Sequence, residues 1–238
     1  MAINLGELDA ARTRAEQSLE LYRHLGDPWG IAYASMMIGN ALGEEDDTAA
    51  AAAVFEESVE RFQELGDEQF TLLAMTNLAY AVGELGDLGR EKKLYETIFP
   101  RAQALGNRHL EAYTLAELAY VARYEGRLAE AASMLRESLG IFHERGDRWQ
   151  QALNLGRLGA VLADQGRLGA AVLLVASSEA LADEIGAKTP SWAARRNEET
   201  LTAARSQLDE AAFEKAWEEG RRMTLDQAVA LALGADDG

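Results

Sequence analysis

The sequence predicts an all-α fold: a solenoid of helical hairpins with a 40-residue period and a helical cap at its C-terminal end. Three observations carry that expectation. Gly26, Gly66, Gly106, Gly146 and Gly186 recur every 40 residues, in the settings HLGD, ELGD, ALGN, ERGD and EIGA. A second column, Gly6, Asp46, Gly86, Gly126 and Gly166, keeps the same step half a period away. Alanine, leucine and glutamate abound while proline occurs three times, a balance that suits helix interiors. A period kept this strictly marks stacked repeats rather than a globular enzyme domain.

Each period divides into two helices. Between Asp67 and Leu105, the first spans 68–85, with Leu72, Ala74, Leu78, Ala79 and Val82 at helical spacing, and Gly86 ends it. The second spans 88–105 and ends at Gly106. Short turns between helices of this length force antiparallel neighbours. An apolar column (Ile38, Leu78, Leu118, Leu158) and a small one (Gly39, Ala79, Ala119, Gly159) form the expected buried seam. Glu91 stands where later copies carry Ala131 and Ala171, which predicts looser packing in the second copy. The opening run Gly6–Ala11 aligns with Gly166–Ala171, so residues 6–25 read as a lone second helix and the chain as a piece of something longer.

The predicted division is therefore repeats over 1–187 (a half repeat at 6–26, then 27–66, 67–106, 107–146 and 147–186) and capping helices over 188–238. The cap is expected as helices over 190–205, 207–219 and 225–233, covering a second helix at 168–185 that carries few charges. In AWEEGRRMTL, residues 216–225, Gly220 reads as a helix end and Trp217 as packed beneath the turn. Arg221 and Arg222 then lie at the negative helix terminus, and Thr224 with Gln227 forms a capping box.

The formal charge of −17 argues against nucleic acid as a direct partner, because phosphate binding needs a basic stripe. The absence of cysteine excludes disulfides and thiolate chemistry. The apolar run 169–177 is far too short to span a bilayer, and no signal pattern opens the chain, so a cytoplasmic protein is expected. His24, His109 and His143 occupy different repeat positions and no nucleophile–base pair is evident, so no catalytic residue, metal site or cofactor is expected. Gly186–Thr189 and the tripeptide Arg145-Gly146-Asp147 fall in the turn column and read as turns, while Trp29 and Trp149 read as staples at helix starts.

Within a repeat, Asn77-Leu78-Ala79, Gly86-Asp87-Leu88 and Tyr95 resemble the tetratricopeptide motif. Leu118-Ala119, Gly126-Arg127-Leu128 and Ala131, and then Leu158-Gly159, Gly166-Arg167-Leu168 and Ala171, repeat it. The period exceeds that motif's usual ~34 residues, which implies longer helices. The resemblance implies a superhelix whose concave face, lined by the first helices, binds a protein or peptide. Its groove positions fall on Tyr33, Met36 and Asn40; on Leu73, Thr76 and Tyr80; and on Tyr113, Ala116, Tyr120, Arg123 and Tyr124. The fourth copy is nearly bare there, with Leu153, Gly156 and Ala160. Packing between neighbouring repeats is the other role open to these tyrosines.

The run Ala212–Leu233 resembles the segment that closes the tetratricopeptide region of large bacterial regulators, the signal-transduction ATPases of the LuxR-like and AfsR-like kinds. That resemblance implies a sensor, or effector, domain of a transcriptional regulator. ATPase and DNA-binding modules would lie elsewhere, since no G-x-x-x-x-G-K-[ST] occurs. The implied partners are a protein or peptide on the concave face, or other modules of the parent. A small-molecule inducer held by Tyr113, Tyr120 and Arg123, and self-association into a homo-oligomer, are the alternatives.

Overall fold

The computed structural model describes residues 5–234, with side chains from residue 10 onward. All regular structure among them is helical: α1 (Leu5–Leu25), α2 (Pro28–Glu44), α3 (Thr48–Glu64), α4 (Glu68–Glu84), α5 (Leu88–Ala104), α6 (Arg108–Tyr124), α7 (Leu128–Glu144), α8 (Arg148–Asp164), α9 (Leu168–Glu184), α10 (Ser191–Arg205), α11 (Glu210–Arg222) and α12 (Leu225–Leu233). From α2 to α9 the helices pair as tetratricopeptide-like antiparallel hairpins, and equivalent helices begin 40 residues apart. Gly6, first of its column, lies within α1.

The recurring Gly-Asp pair explains the tight joints. Gly66 adopts φ 68°, which an L side chain resists, and thereby closes α3. The next residue, Asp67, accepts the Phe70 amide proton at 3.1 Å and starts α4. Asp147, in the adhesion-like tripeptide, caps α8 in the same way through Gln150. Among the described residues Asp46 (φ 63°) is the one non-glycine with positive φ. Asp46→Gly is accordingly expected to raise stability by about 0.5–1 kcal/mol in denaturant unfolding, since even aspartate is held in the left-handed region at a cost.

The chain forms two compact units, residues 1–107 and 108–238. In the first, the core gathers Ala32, Met36, Phe55, Phe62, Ala74 and Leu78. Close approach is made by glycine: a Cβ on Gly39 would lie 2.7 Å from the Phe55 ring, and one on Gly30 would enter the Tyr22 ring. As expected at Glu91, α5 packs less closely on α4 than the second helix does on the first in the other three hairpins. The buried Glu91 carboxylate lies over Gly83, whose missing side chain leaves the room that an alanine at position 91 would not need. Arg101 forks Glu68 with two 2.7 Å hydrogen bonds, tying α5 to α4 and holding that carboxyl below its ordinary range.

The second unit has the larger core, with Leu135, Leu139, Leu155, Leu158, Leu162 and Leu174 joined by Ala228, Val229 and Ala232 of α12. Ser138 Oγ donates to the Ala112 carbonyl at 2.6 Å and accepts from Asn154 Nδ2 at 3.0 Å, whereas the buried Asn154 Oδ1 has no hydrogen-bond partner among the described residues. The apolar column is not uniformly a seam: Leu78 and Leu158 are buried, whereas Ile38 and Leu118 are only half-buried.

Beyond α9 the chain wraps the last hairpin. α10 lies on α8 and α9, α11 packs along α9, and α12 reaches α7, where Arg136 Nε donates to the Ala232 carbonyl at 3.0 Å. The expected helix end at Gly220 is corrected: α11 continues to Arg222, and the turn comes at Met223 (φ −62°, ψ 137°). Gly220 is buried where α11 crosses α9, so its lack of a side chain serves contact rather than termination. Trp217 is half-buried and stacks on Phe213, and Arg221 pairs with Asp183 at 3.0 Å. Thr224 and Gln227 form the full capping box of α12.

Candidate binding faces of the two units

In the first unit the accessible face of the hairpins' first helices is built from α2 and α4. Leu73 and Tyr80 stand 43% and 50% exposed one above the other on α4, and Asn40 is exposed on α2. Asn77 Nδ2 donates to Asn40 Oδ1 at 3.1 Å, linking the two helices across this face. A groove of about 420 Å³ continues it between α1 and α2, with Tyr22, Tyr33, Met37, Asn40 and Glu44 in its walls.

The other positions expected on this face behave differently. Met36 is fully buried in the core and offers no surface to a partner. Thr76 is half-buried and its hydroxyl bonds back to the Leu72 carbonyl at 2.8 Å. Tyr33 divides its ring between the groove and an aromatic cluster, stacking on Trp29 at 5.3 Å and meeting Phe70 edge-on at 5.8 Å. Trp29 is indeed fastened, its indole donating to Asp67 at 2.9 Å. Met37 and Asn77 were missed. They follow Tyr33 and Leu73 at the four-residue step, the better match to one stripe of a helix with ~3.6 residues per turn.

The second unit presents a different surface. Tyr124 is 64% exposed and meets Tyr120 edge-on at 5.0 Å, and Tyr113 is half-buried on the same helix. Arg123 is taken up by a fork to Asp164 of α8 at 2.6 and 3.3 Å. Arg157 of α8 reaches back to Glu117 of α6 at 2.6 Å, an ion pair whose side chains are only 10% and 12% exposed. In such a setting the mutual attraction has to offset the loss of hydration of both charges.

Over these residues lies α10. Its Arg196 guanidinium sits 4.5 Å from the Tyr120 ring centroid and 5.2 Å from that of Trp192, while Arg157 approaches the same indole at 5.0 Å. Burial, and then the neighbouring Arg157, hold the Arg196 guanidinium below its ordinary value; it remains a cation at neutral pH. Asn197 rests on Gly156, where a Cβ would lie 2.8 Å from its oxygen. On its other side Asn197 bonds Glu179 of α9, whose carboxyl is pushed above the ordinary range by burial. The bareness of the fourth copy at Gly156 and Ala160 thus has a cause in packing: both are buried, and the side chain missing at Gly156 is the seat of Asn197. The space left between Trp149, Gly156, Arg157 and Trp192 is about 10 Å³, room for one water. Glu117 of α6 and Arg157 of α8 also belong to this face, as do Trp192 and Arg196 of α10, whose few apolar side chains do not single out this surface in the sequence.

His24 is bonded to the Glu20 carbonyl, His109 is set beside Phe142, and His143 is bonded to Gln151. No described helix is long and apolar enough to cross a membrane.

No protein-family model matches the chain, and no curated protein matches it. Solved structures do. The crystal structure of BtubC (BKLC) from P. vanneervenii aligns with a TM-score of 0.69 at 17% identity, over 94% of this chain and 92% of that one. The complex of the TPR2AB domain of yeast Sti1 with pHSP90 aligns with a TM-score of 0.35 at 18% identity, over 95% and 92%. The likeness to BtubC is one of fold.

Proposed function

We propose that this chain is a non-catalytic scaffold that binds a protein or peptide on the face of α2 and α4, and that it serves as the sensor arm of a bacterial transcriptional regulator. The observation that carries the binding reading is the combination of exposed Leu73 and Tyr80 with the Asn40–Asn77 amide pair on one face. Tyrosine and leucine supply apolar area at modest entropic cost, and side-chain amides supply donors and acceptors for a bound main chain. Such a face suits a segment that is apolar at alternate positions and hydrogen-bonded between them. The regulatory reading is supported by the resemblance of residues 212–233 to the closing segment of signal-transduction ATPases. Its mechanism is a population shift, in which the partner stabilises one state of the parent through its differential affinity.

The test is a displayed peptide library selected against the wild-type chain, with the selected peptides then measured against the Leu73→Ala/Tyr80→Ala variant. Affinity is expected to fall by about tenfold or more, in the range of binding hot spots, with helical content unchanged by circular dichroism. Equal binding by both chains removes the site from this face. Small-molecule sensing has one observation in its favour, the groove between α1 and α2, whose volume suits a compact ligand. A thermal-shift screen of metabolites against the selected peptides separates the two readings.

A further inference from the structure

On the reading that first-helix faces bind partners, we infer that the face of α6 and α8 is a second binding site, one for a helix carrying an aromatic residue and an arginine one turn apart, and that α10 is its resident and displaceable occupant. Trp192 and Arg196 are spaced i, i+4 on α10, and together they make the contacts to Tyr120 and Arg157. The receiving surface is shaped for a helix: Gly156 and Ala160 leave the floor low, and the Tyr120 ring and the Glu117–Arg157 pair form one wall.

Three features make the occupant releasable. First, the side chains that α10 buries fully are Ala193, Asn197, Thr200 and Ala204, small or polar ones, and its larger Trp192 and Leu201 are only half-buried. Its neighbours hold by other means: α11 through Phe213, Ala216 and Gly220, and α12 through Ala228, Val229 and Ala232. Second, Arg196 enters a place already holding Arg157 and Arg123, each paired with a carboxylate, while among the described residues Arg196 has ring faces and no carboxylate at ion-pair distance. Third, residues 187–190 before α10 and 206–209 after it are outside any helix. The helix can therefore leave its seat while α11 and α12 stay anchored to α9 and α7. A partner helix of the same chemistry would gain these contacts by exchange, and the second face would answer only to a ligand able to compete with a tethered segment.

The experiment compares the full wild-type chain with Ala193→Glu/Asn197→Glu, which places two carboxylates on the buried side of α10 and leaves α6 and α8 untouched. Hydrogen exchange is read helix by helix, and both chains are titrated with a fluorescein-labelled peptide of residues 188–206. In the wild type, α10 is expected to exchange about tenfold or more faster than α9, because it opens locally. In the variant α10 loses protection while α6, α7, α8, α9 and α11 keep theirs, and the peptide binds about tenfold or more tighter than to the wild type, whose own α10 competes. Loss of protection in α8 and α9 together with α10 overturns the inference, because α10 is then an integral part of the core. So does equal response of the two chains to the peptide, including no binding by either. The exchange result needs no external partner, so it stands or falls separately from the binding role proposed for α2 and α4.

Discussion

Leu158→Ala is expected to destabilise the second unit by about 2–5 kcal/mol in equilibrium unfolding followed by circular dichroism. Leu158 is fully buried on α8 and belongs to a cluster that draws on α6, α7, α9 and α12 as well as its own helix. Removing three carbons there, a methine and two methyls, forfeits their transfer from water and leaves a cavity that four surrounding helices cannot close together. The same substitution at Leu118, one period earlier, is expected to cost clearly less, because that side chain is half in water. A loss below about 1 kcal/mol at Leu158, or equal losses at the two positions, would contradict the packing described for α8.

That contrast shows how far the repeat is legible in the sequence. The turns are the most legible part: the glycine column states a left-handed residue at each 40-residue step, and where aspartate follows, as at Asp67 and Asp147, it states the helix cap as well. Helix ends follow within about one residue, because the same two groups fix them. Burial within a column is less legible. Leu78, Leu118 and Leu158 are the same residue at the same repeat position, yet their neighbours differ in kind, and the periodicity of one helix contains nothing about what its neighbours bring. The division at residue 107 is invisible for a related reason, since Gly106 makes the same left-handed turn as the other glycines of its column.

The candidate faces are legible in the sequence only in part, and for identifiable reasons. Tyr33, Asn40, Leu73 and Tyr80 reach the accessible side of α2 and α4, whereas Met36 lies about 60° round the helix from Tyr33 and turns into the core. Asn77 completes the face only through its bond to Asn40, a contact 37 residues apart in the chain. Around Tyr120 the decisive element is α10, whose sequence SWAARRNEETLTAAR gives no sign of which surface it will occupy. Its place is decided by Gly156 and by the charges of Arg157 and Glu117, which are tertiary facts.

A pair of glycine substitutions separates local propensity from packing, and the second large effect lies there. Alanine is the better helix former by about 0.5–1 kcal/mol, so Gly→Ala inside a helix stabilises wherever the new methyl has room. Gly140 in α7 has that room, since a Cβ built on it would meet nothing within 4 Å, and Gly140→Ala is expected to stabilise by that amount. Gly220 in α11 is expected to show the opposite sign. A Cβ there would lie 2.8 Å from the Ala176 methyl, 3.0 Å from the Leu173 Cα and closer still to the Leu173 carbonyl oxygen. Two of those three atoms are backbone in the middle of α9, which no rotamer change can move aside. The helix must therefore shift outward, stretching the 3.0 Å hydrogen bond from Ser177 Oγ to the Gly220 carbonyl and thinning the contact of Phe213 with Leu168 and Val172. Overpacking of this kind costs about 1–3 kcal/mol, more than the propensity gain returns. Gly220→Ala is thus expected to lower the stability of the second unit and to raise hydrogen exchange first in α11, whereas Gly140→Ala lowers exchange in α7. If both substitutions stabilise, α11 does not cross α9 at Gly220, and that glycine would be marking the end of a helix after all.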